Sequence, residues 1–151
     1  MDALKTGAVV YNAGACSACG VCEIMCSLLH EGSASRLLSR ANIIRNAFTA
    51  LHSHVTCQQC TYPSCYYACP VQDQALCIDE ATGTVYVNED ECIGCGSCVE
   101  ACPFDPSRIK ENTEKQVAFK CDLCREREEG PICVEYCPFQ ALTYVTKEER
   151  A

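Results

Sequence analysis

The 151-residue chain has no tryptophan, only four phenylalanines and only two methionines. With so few large apolar side chains, a core of this size is thin, and a chain built this way needs a staple. No run approaches the roughly 18 consecutive apolar residues that span a membrane, which argues against direct membrane insertion. Positive charge is scarce as well: 12 Lys and Arg stand against 20 Asp and Glu, a formal net charge of -8. A nucleic-acid binder needs a basic face, and so does a protein that sits on anionic lipid. The opening segment MDALKTGAVVYN carries no basic n-region, no apolar h-region and no twin arginine, so the cytoplasm is the expected location. No G-x-G-x-x-G or Walker loop and no Ser–His–Asp constellation is present, so no substrate chemistry by the chain itself is expected.

What the chain has in excess is cysteine, 17 residues of it. In a cytoplasmic protein, clustered cysteines read as metal sites rather than disulfides. They fall into four groups: Cys16, Cys19, Cys22 and Cys26; Cys57, Cys60, Cys65 and Cys69; Cys92, Cys95, Cys98 and Cys102; Cys121, Cys124, Cys133 and Cys137. Every group opens C-x2-C and closes x3-C, and Pro70, Pro103 and Pro138 follow the last three groups. Structural zinc uses two C-x2-C pairs with a longer spacer, and disulfides at these spacings would be strained.

The third group, CIGCGSCVEACP, resembles in full the bacterial ferredoxin run C-x2-C-x2-C-x3-C-P, which holds 4Fe–4S clusters. Three thiolates in a tight loop can take three irons of a cubane, and small residues such as Gly94, Gly96 and Ser97 let the backbone wrap closely. The fourth cysteine of the run serves the neighbouring cluster. Sixteen cysteines in four quartets predict four such clusters. Cys77 falls outside every quartet and is expected to be a buried free thiol in a strand.

The motifs can pair as first with second and third with fourth, or be nested, first with fourth and second with third. GAVVYN (7–12) before the first motif and ALTYV (141–145) after the last both read as strands. PVQDQALCIDEATGTVYVNEDE, between the second and third motifs, reads as strand, turn at 81–84, strand. That pattern favours nesting. The spacer SRIKENTEKQVAFK also reads as a hairpin, which leaves the other pairing open. In the nested scheme Cys16, Cys19, Cys22 and Cys137 share one cluster, and Cys121, Cys124, Cys133 and Cys26 the next. Cys57, Cys60, Cys65 and Cys102 share the third; Cys92, Cys95, Cys98 and Cys69 share the fourth.

The expected fold is α+β, with short strands, short helices and many loops. Residues 1–54 and 108–151 form an outer ferredoxin-like module, and residues 55–107 form one inserted in it. Extended segments are expected at 43–48 and 54–56. His30, His52 and His54 have no cluster left to ligate and are expected to face solvent or a partner. The charged insertion REREEGPI inside the fourth motif is a solvated loop or a docking loop.

Nearly the whole chain, 9–145, resembles the four-cluster ferredoxin-like subunits of multi-subunit oxidoreductases. These accompany molybdenum or tungsten enzymes such as formate dehydrogenases and aldehyde oxidoreductases, and also hydrogenases and carbon monoxide dehydrogenases. The resemblance implies the nested pairing and a non-catalytic electron-transfer role. It also implies a large catalytic partner, with a tungsten or molybdenum pterin enzyme of the aldehyde oxidoreductase type favoured. A flavin- or NAD-linked subunit or a ferredoxin would take the other end, and self-association end to end is conceivable. The sequence runs about fourteen residues past Cys137, where membrane-linked members often carry an extension or anchor helix, so a soluble complex is the expectation. A free-standing polyferredoxin is the competing reading, and a redox sensor or maturation factor a third.

Overall fold

The computed structural model describes residues 3–150. Its elements are short, because each spacer between cysteine motifs is only long enough for a turn and two strands. In chain order they are β1 (Ala8–Tyr11), α1 (Val21–Glu31), β2 (Asn42–Ile44), β3 (Ser53–Val55), α2 (Ser64–Ala68), β4 (Leu76–Ile78) and β5 (Val85–Val87). Then follow α3 (Ser97–Glu100), β6 (Ile109–Asn112), β7 (Val117–Lys120), α4 (Ile132–Glu135) and β8 (Leu142–Val145). The result is a mixed α and β fold consistent with a ferredoxin-like one.

Four antiparallel two-stranded ribbons form among the described residues. The two chain ends make the first: β1 pairs with β8, Ala8 opposite Val145 and Tyr11 opposite Leu142. The other three are hairpins, β2 with β3, β4 with β5 and β6 with β7. The 81–84 turn closes through Gly83, whose N–H donates to Asp79 O at 2.7 Å. Extended structure from 43 onward ends sooner than its β-branched residues suggest. Asn46 Oδ1 accepts from the N–H groups of Phe48 and Thr49, both at 3.1 Å, and this local side-chain turn outcompetes strand continuation.

Helix α1 packs on α4, and α2 packs on α3. Two small cores result. One gathers Val9, Ile43, Leu123 and Leu142 around Cys22, Cys57, Cys121 and Cys133. The other gathers Tyr66, Leu76, Val85, Ile109 and Ala118 around Cys98. Cysteines thus occupy positions that leucine or phenylalanine would fill in a chain with more large apolar residues. No helix among the described residues is long and apolar enough to cross a membrane.

Candidate metal centres

Each motif folds its first two cysteines the same way. The second residue after the first cysteine takes a left-handed conformation: Ala18 (φ 59°), Gln59 (φ 47°), Gly94 (φ 66°) and Leu123 (φ 59°). That twist turns backbone amides inward. Ala18 N donates to Cys16 Sγ at 3.3 Å, Gln59 N to Cys57 Sγ at 3.4 Å and Leu123 N to Cys121 Sγ at 3.4 Å. Cys92 Sγ accepts instead from Ala118 N of β7, at 3.4 Å. At Gly94 the loop runs so close to the β6–β7 turn that a Cβ would stand 2.3 Å from Gln116 O. Only glycine meets both demands there.

The third cysteines, Cys22, Cys65, Cys98 and Cys133, sit on α1 to α4. The fourth lie four residues on: Cys26 within α1, and Cys69, Cys102 and Cys137 just past the ends of α2, α3 and α4. Three of these receive amides from the segment that follows: Arg40 N to Cys26 Sγ, Arg108 N to Cys102 Sγ and Ala141 N to Cys137 Sγ, each at 3.3 Å. Such N–H···S bonds favour thiolate over thiol and orient each sulfur.

Two cavities collect these sulfurs. One is lined by Cys16, Cys19 and Cys22 of the first motif and Cys137 of the fourth, with Tyr11, Ile43, Phe139 and Leu142 as walls. The other is lined by Cys92, Cys95 and Cys98 of the third motif and Cys69 of the second, with Leu76, Val87 and Ala118. The remaining eight cysteines line neither cavity. Burial pushes the Cys133 thiol well above its ordinary value, and Cys121, Cys26 and Cys124 add to that. Burial raises Cys60, and Cys57 and Cys102 add to it. Burial likewise pushes Cys22, Cys98 and Cys121 up to about 12, and Cys65 and Cys124 up to about 11. All 17 cysteines are free. Thiols this numerous and this costly to ionise fit a soft metal that takes them as thiolates and releases their protons. Four soft donors around a dry, apolar cavity suit a 4Fe–4S cluster.

Cys77 lies outside both cavities. It sits in β4 opposite Tyr86, half-buried, with its thiol 3.3 Å from Gln74 O. The histidines are less exposed than expected. His54 stacks on Tyr11, ring centroids 5.5 Å apart, and its Nε2 is buried without a hydrogen-bond partner. His30 Nε2 lies 3.7 Å from Cys124 Sγ and 3.7 Å from Asp122 Oδ1. The REREEGPI loop is half folded back: Arg125 stacks over Tyr86 at 3.8 Å, and Arg127 bonds Glu135 at 2.5 Å.

Three buried polar residues carry no signal in their spacing. Glu23 (1% exposed) sits inside the first motif, Gln59 (0%) inside the second, and Lys120 (2%) just before the fourth. A charged residue beside a cysteine motif reads as surface until the strand around it is placed.

Comparison with known proteins agrees with the donor set. A family model for the 4Fe–4S dicluster domain matches residues 49–147. YsaA of Escherichia coli K12, named as a candidate electron transport protein, is 34% identical over 93% of this chain and 90% of its own length. The polyferredoxin-like subunit of the aliphatic sulfonate oxidoreductase of Pyrococcus furiosus is 43% identical over 81% of this chain and 66% of its own. Among solved structures, a chain of the BamBC active-site complex of benzoyl coenzyme A reductase superposes with a TM-score of 0.55. It is 22% identical, covers 93% of this chain and 75% of its own, and speaks for the fold alone. The chain belongs to the 4Fe–4S dicluster domain family: it is a ferredoxin-like electron-transfer protein that binds iron–sulfur clusters.

Proposed function

We propose that the chain is an electron-transfer subunit that holds four 4Fe–4S clusters in a row. The observation that carries this is the make-up of the two cavities: each brings three cysteines of one motif together with the last cysteine of a different motif. The cavities support two ligand sets, Cys16, Cys19, Cys22 with Cys137 and Cys92, Cys95, Cys98 with Cys69, and the same pattern gives the other two: Cys121, Cys124, Cys133 with Cys26, and Cys57, Cys60, Cys65 with Cys102. The β1–β8 pairing of the chain ends and the α1–α4 and α2–α3 contacts support nested modules, 55–107 within 1–54 and 108–151.

Closeness across sets orders the row. One core packs Cys22, Cys133, Cys121 and Cys57 together, and the other packs Cys65 with Cys98. That packing supports the order just given, with exposed Cys19 in the first set and exposed Cys95 in the last. The bound clusters supply one-electron storage; the chain spaces them, keeps them dry and donates amides to their sulfurs.

A catalytic subunit at one end of the row is the favoured partner, of the tungsten or molybdenum aldehyde oxidoreductase type, in the cytoplasm. Exposed apolar side chains support a subunit over a free carrier. Phe48 (101% exposed), Leu51 (61%) and Leu37 (85%) have nothing to cover them, while Tyr66 is buried. The relative named a polyferredoxin-like subunit points the same way.

The test is anaerobic purification from the native source with metal analysis per copy of the chain. About sixteen irons, with tungsten or molybdenum in a co-purifying large subunit, is the expected result. Nickel would reassign the partner to a hydrogenase or carbon monoxide dehydrogenase, and sixteen irons on a lone monomer would favour the free carrier. Zinc with little iron would overturn the reading.

A further inference from the structure

Lys120 ends β7 with 2% of its surface exposed, the largest side chain so deeply buried. Its Nζ donates to Val85 O and, at 3.1 Å, to Cys121 O. Gln59 Nε2 bonds the same two carbonyls, at 3.1 and 2.9 Å, and Gln59 Oε1 accepts from Val85 N at 2.9 Å. The ammonium is therefore held tightly, but by groups without net charge. No acidic side chain pairs with Lys120 among the described residues.

A buried cation with no counter-charge is among the most costly features a fold can carry. The motif loop that packs against it carries thiols, which become negative as thiolates when they ligate a metal. Gln59 N donates to Cys57 Sγ at 3.4 Å, so the side chain that shares its carbonyls with Lys120 belongs to the loop that holds this thiol. Gln59, which shares its carbonyls, lies between Cys57 and Cys60 in the same motif.

We propose that Lys120 is a positioning residue for the cluster held by Cys57, Cys60, Cys65 and Cys102: its ammonium is that cluster's internal counter-charge and makes it easier to reduce than its neighbours. The inference rests on the four-cluster reading above. Reduction adds one electron and takes a thiolate-ligated cubane from a charge of about -2 to about -3, so fixed positive charge nearby favours the reduced state. Placed in the interior of the row, a cluster of raised potential holds the electron between the two ends. The charge belongs to the fold and is not screened by salt as a surface lysine would be.

The experiment is a redox titration of the full chain followed by electron paramagnetic resonance, with iron counted in every sample. In Lys120→Met, which keeps length and removes charge, the reduction equilibrium of one cluster is expected to fall about tenfold, about 59 mV for a one-electron couple. The other three should move less, and Lys120→Arg should stay within about twofold of the native protein by the same conversion. Unchanged midpoints in Lys120→Met with sixteen irons present would overturn the inference, as would a drop in Lys120→Arg equal to that in Lys120→Met. If Lys120→Met fails to hold its iron, Lys120→Arg decides: native midpoints support the charge, and displaced ones overturn it. A native chain without sixteen irons would instead sink the four-cluster reading itself.

Discussion

Arg45 donates from Nη2 to the Glu23 carboxylate across 2.8 Å, tying the β2–β3 hairpin to helix α1. Glu23 also accepts from Ile43 N at 2.9 Å and pairs with Arg36 Nε at 3.1 Å, with 1% of its surface exposed. Burial alone would raise its carboxyl, but the Arg45 hydrogen bond and the Ile43 amide outweigh that and hold it below its ordinary value. Glu23→Gln leaves two arginines facing an amide. Breaking a fully buried pair costs 3–5 kcal/mol; both arginines reach solvent, so a loss of about 2 kcal/mol is expected. Chemical denaturation under anaerobic conditions measures it. Because the folded group is depressed, its contribution is present above the unfolded carboxyl range and fades as pH falls through and below it. An unchanged denaturation midpoint would show that the Glu23 carboxylate contributes nothing to holding the hairpin.

The cysteine motifs were legible because ligand spacing is local: C-x2-C and x3-C each span about one helical turn, whatever the rest of the chain does. The strands at 8–11, 76–78, 85–87 and 142–145 were legible for the same reason, since β-branched residues alternate there between turn signals. What spacing cannot carry is burial set by distant segments. Glu23 is buried because β2 crosses over it, 20 residues on, and Lys120 because Gln59 and Val85 close over its Nζ. His54 looked like a surface residue in the polar run HSHVT, and it is Tyr11, on the first strand, that covers it.

Burial of His54 lowers its ring to about 4, with Arg108 adding to the effect. The neutral ring is the folded form. An unfolded histidine takes its proton near 6.5 and the folded one only near 4, so stability is expected to fall as pH drops between those values. Moving from pH 7.5 to 5.5 should cost about 1 kcal/mol. Denaturation midpoints at the two pH values check this in the native protein and in His54→Phe. The variant should lose most of the difference; an equal pH dependence in both would place its origin elsewhere.

Gly94 and Gly32 share a left-handed conformation, φ 66° and 67°, but not their surroundings. A Cβ on Gly94 would stand 2.3 Å from Gln116 O, whereas one on Gly32 meets nothing within 4 Å. Gly32→Ala carries only the backbone strain, about 1 kcal/mol. Gly94→Ala must also push the β6–β7 turn away from the Cys92–Cys98 loop, and Cys92 Sγ would lose alignment with Ala118 N. A cost of about 2 to 3 kcal/mol and faster iron release are expected for Gly94→Ala. Iron release to a chelator separates the two: equal rates in both variants would mean the close approach to Gln116 plays no part.

Cys137 provides the sharpest test of which sulfurs share a metal. It closes the fourth motif in sequence, yet it lines a cavity with Cys16, Cys19 and Cys22. Cys137→Ala is therefore expected to alter the same paramagnetic signal as Cys19→Ala, through a three-iron centre or loss of that cluster. The double variant should lose no more iron than the more damaging single one, because both substitutions strike one site and their effects do not add. Cys124→Ala should alter a different signal, and combining it with Cys137→Ala should lose the iron of two sites. If Cys137→Ala instead changes the signal shared with Cys121, Cys124 and Cys133, each motif would hold its own cluster. The pairing of the chain ends through β1 and β8 would then have no role in assembling a metal site.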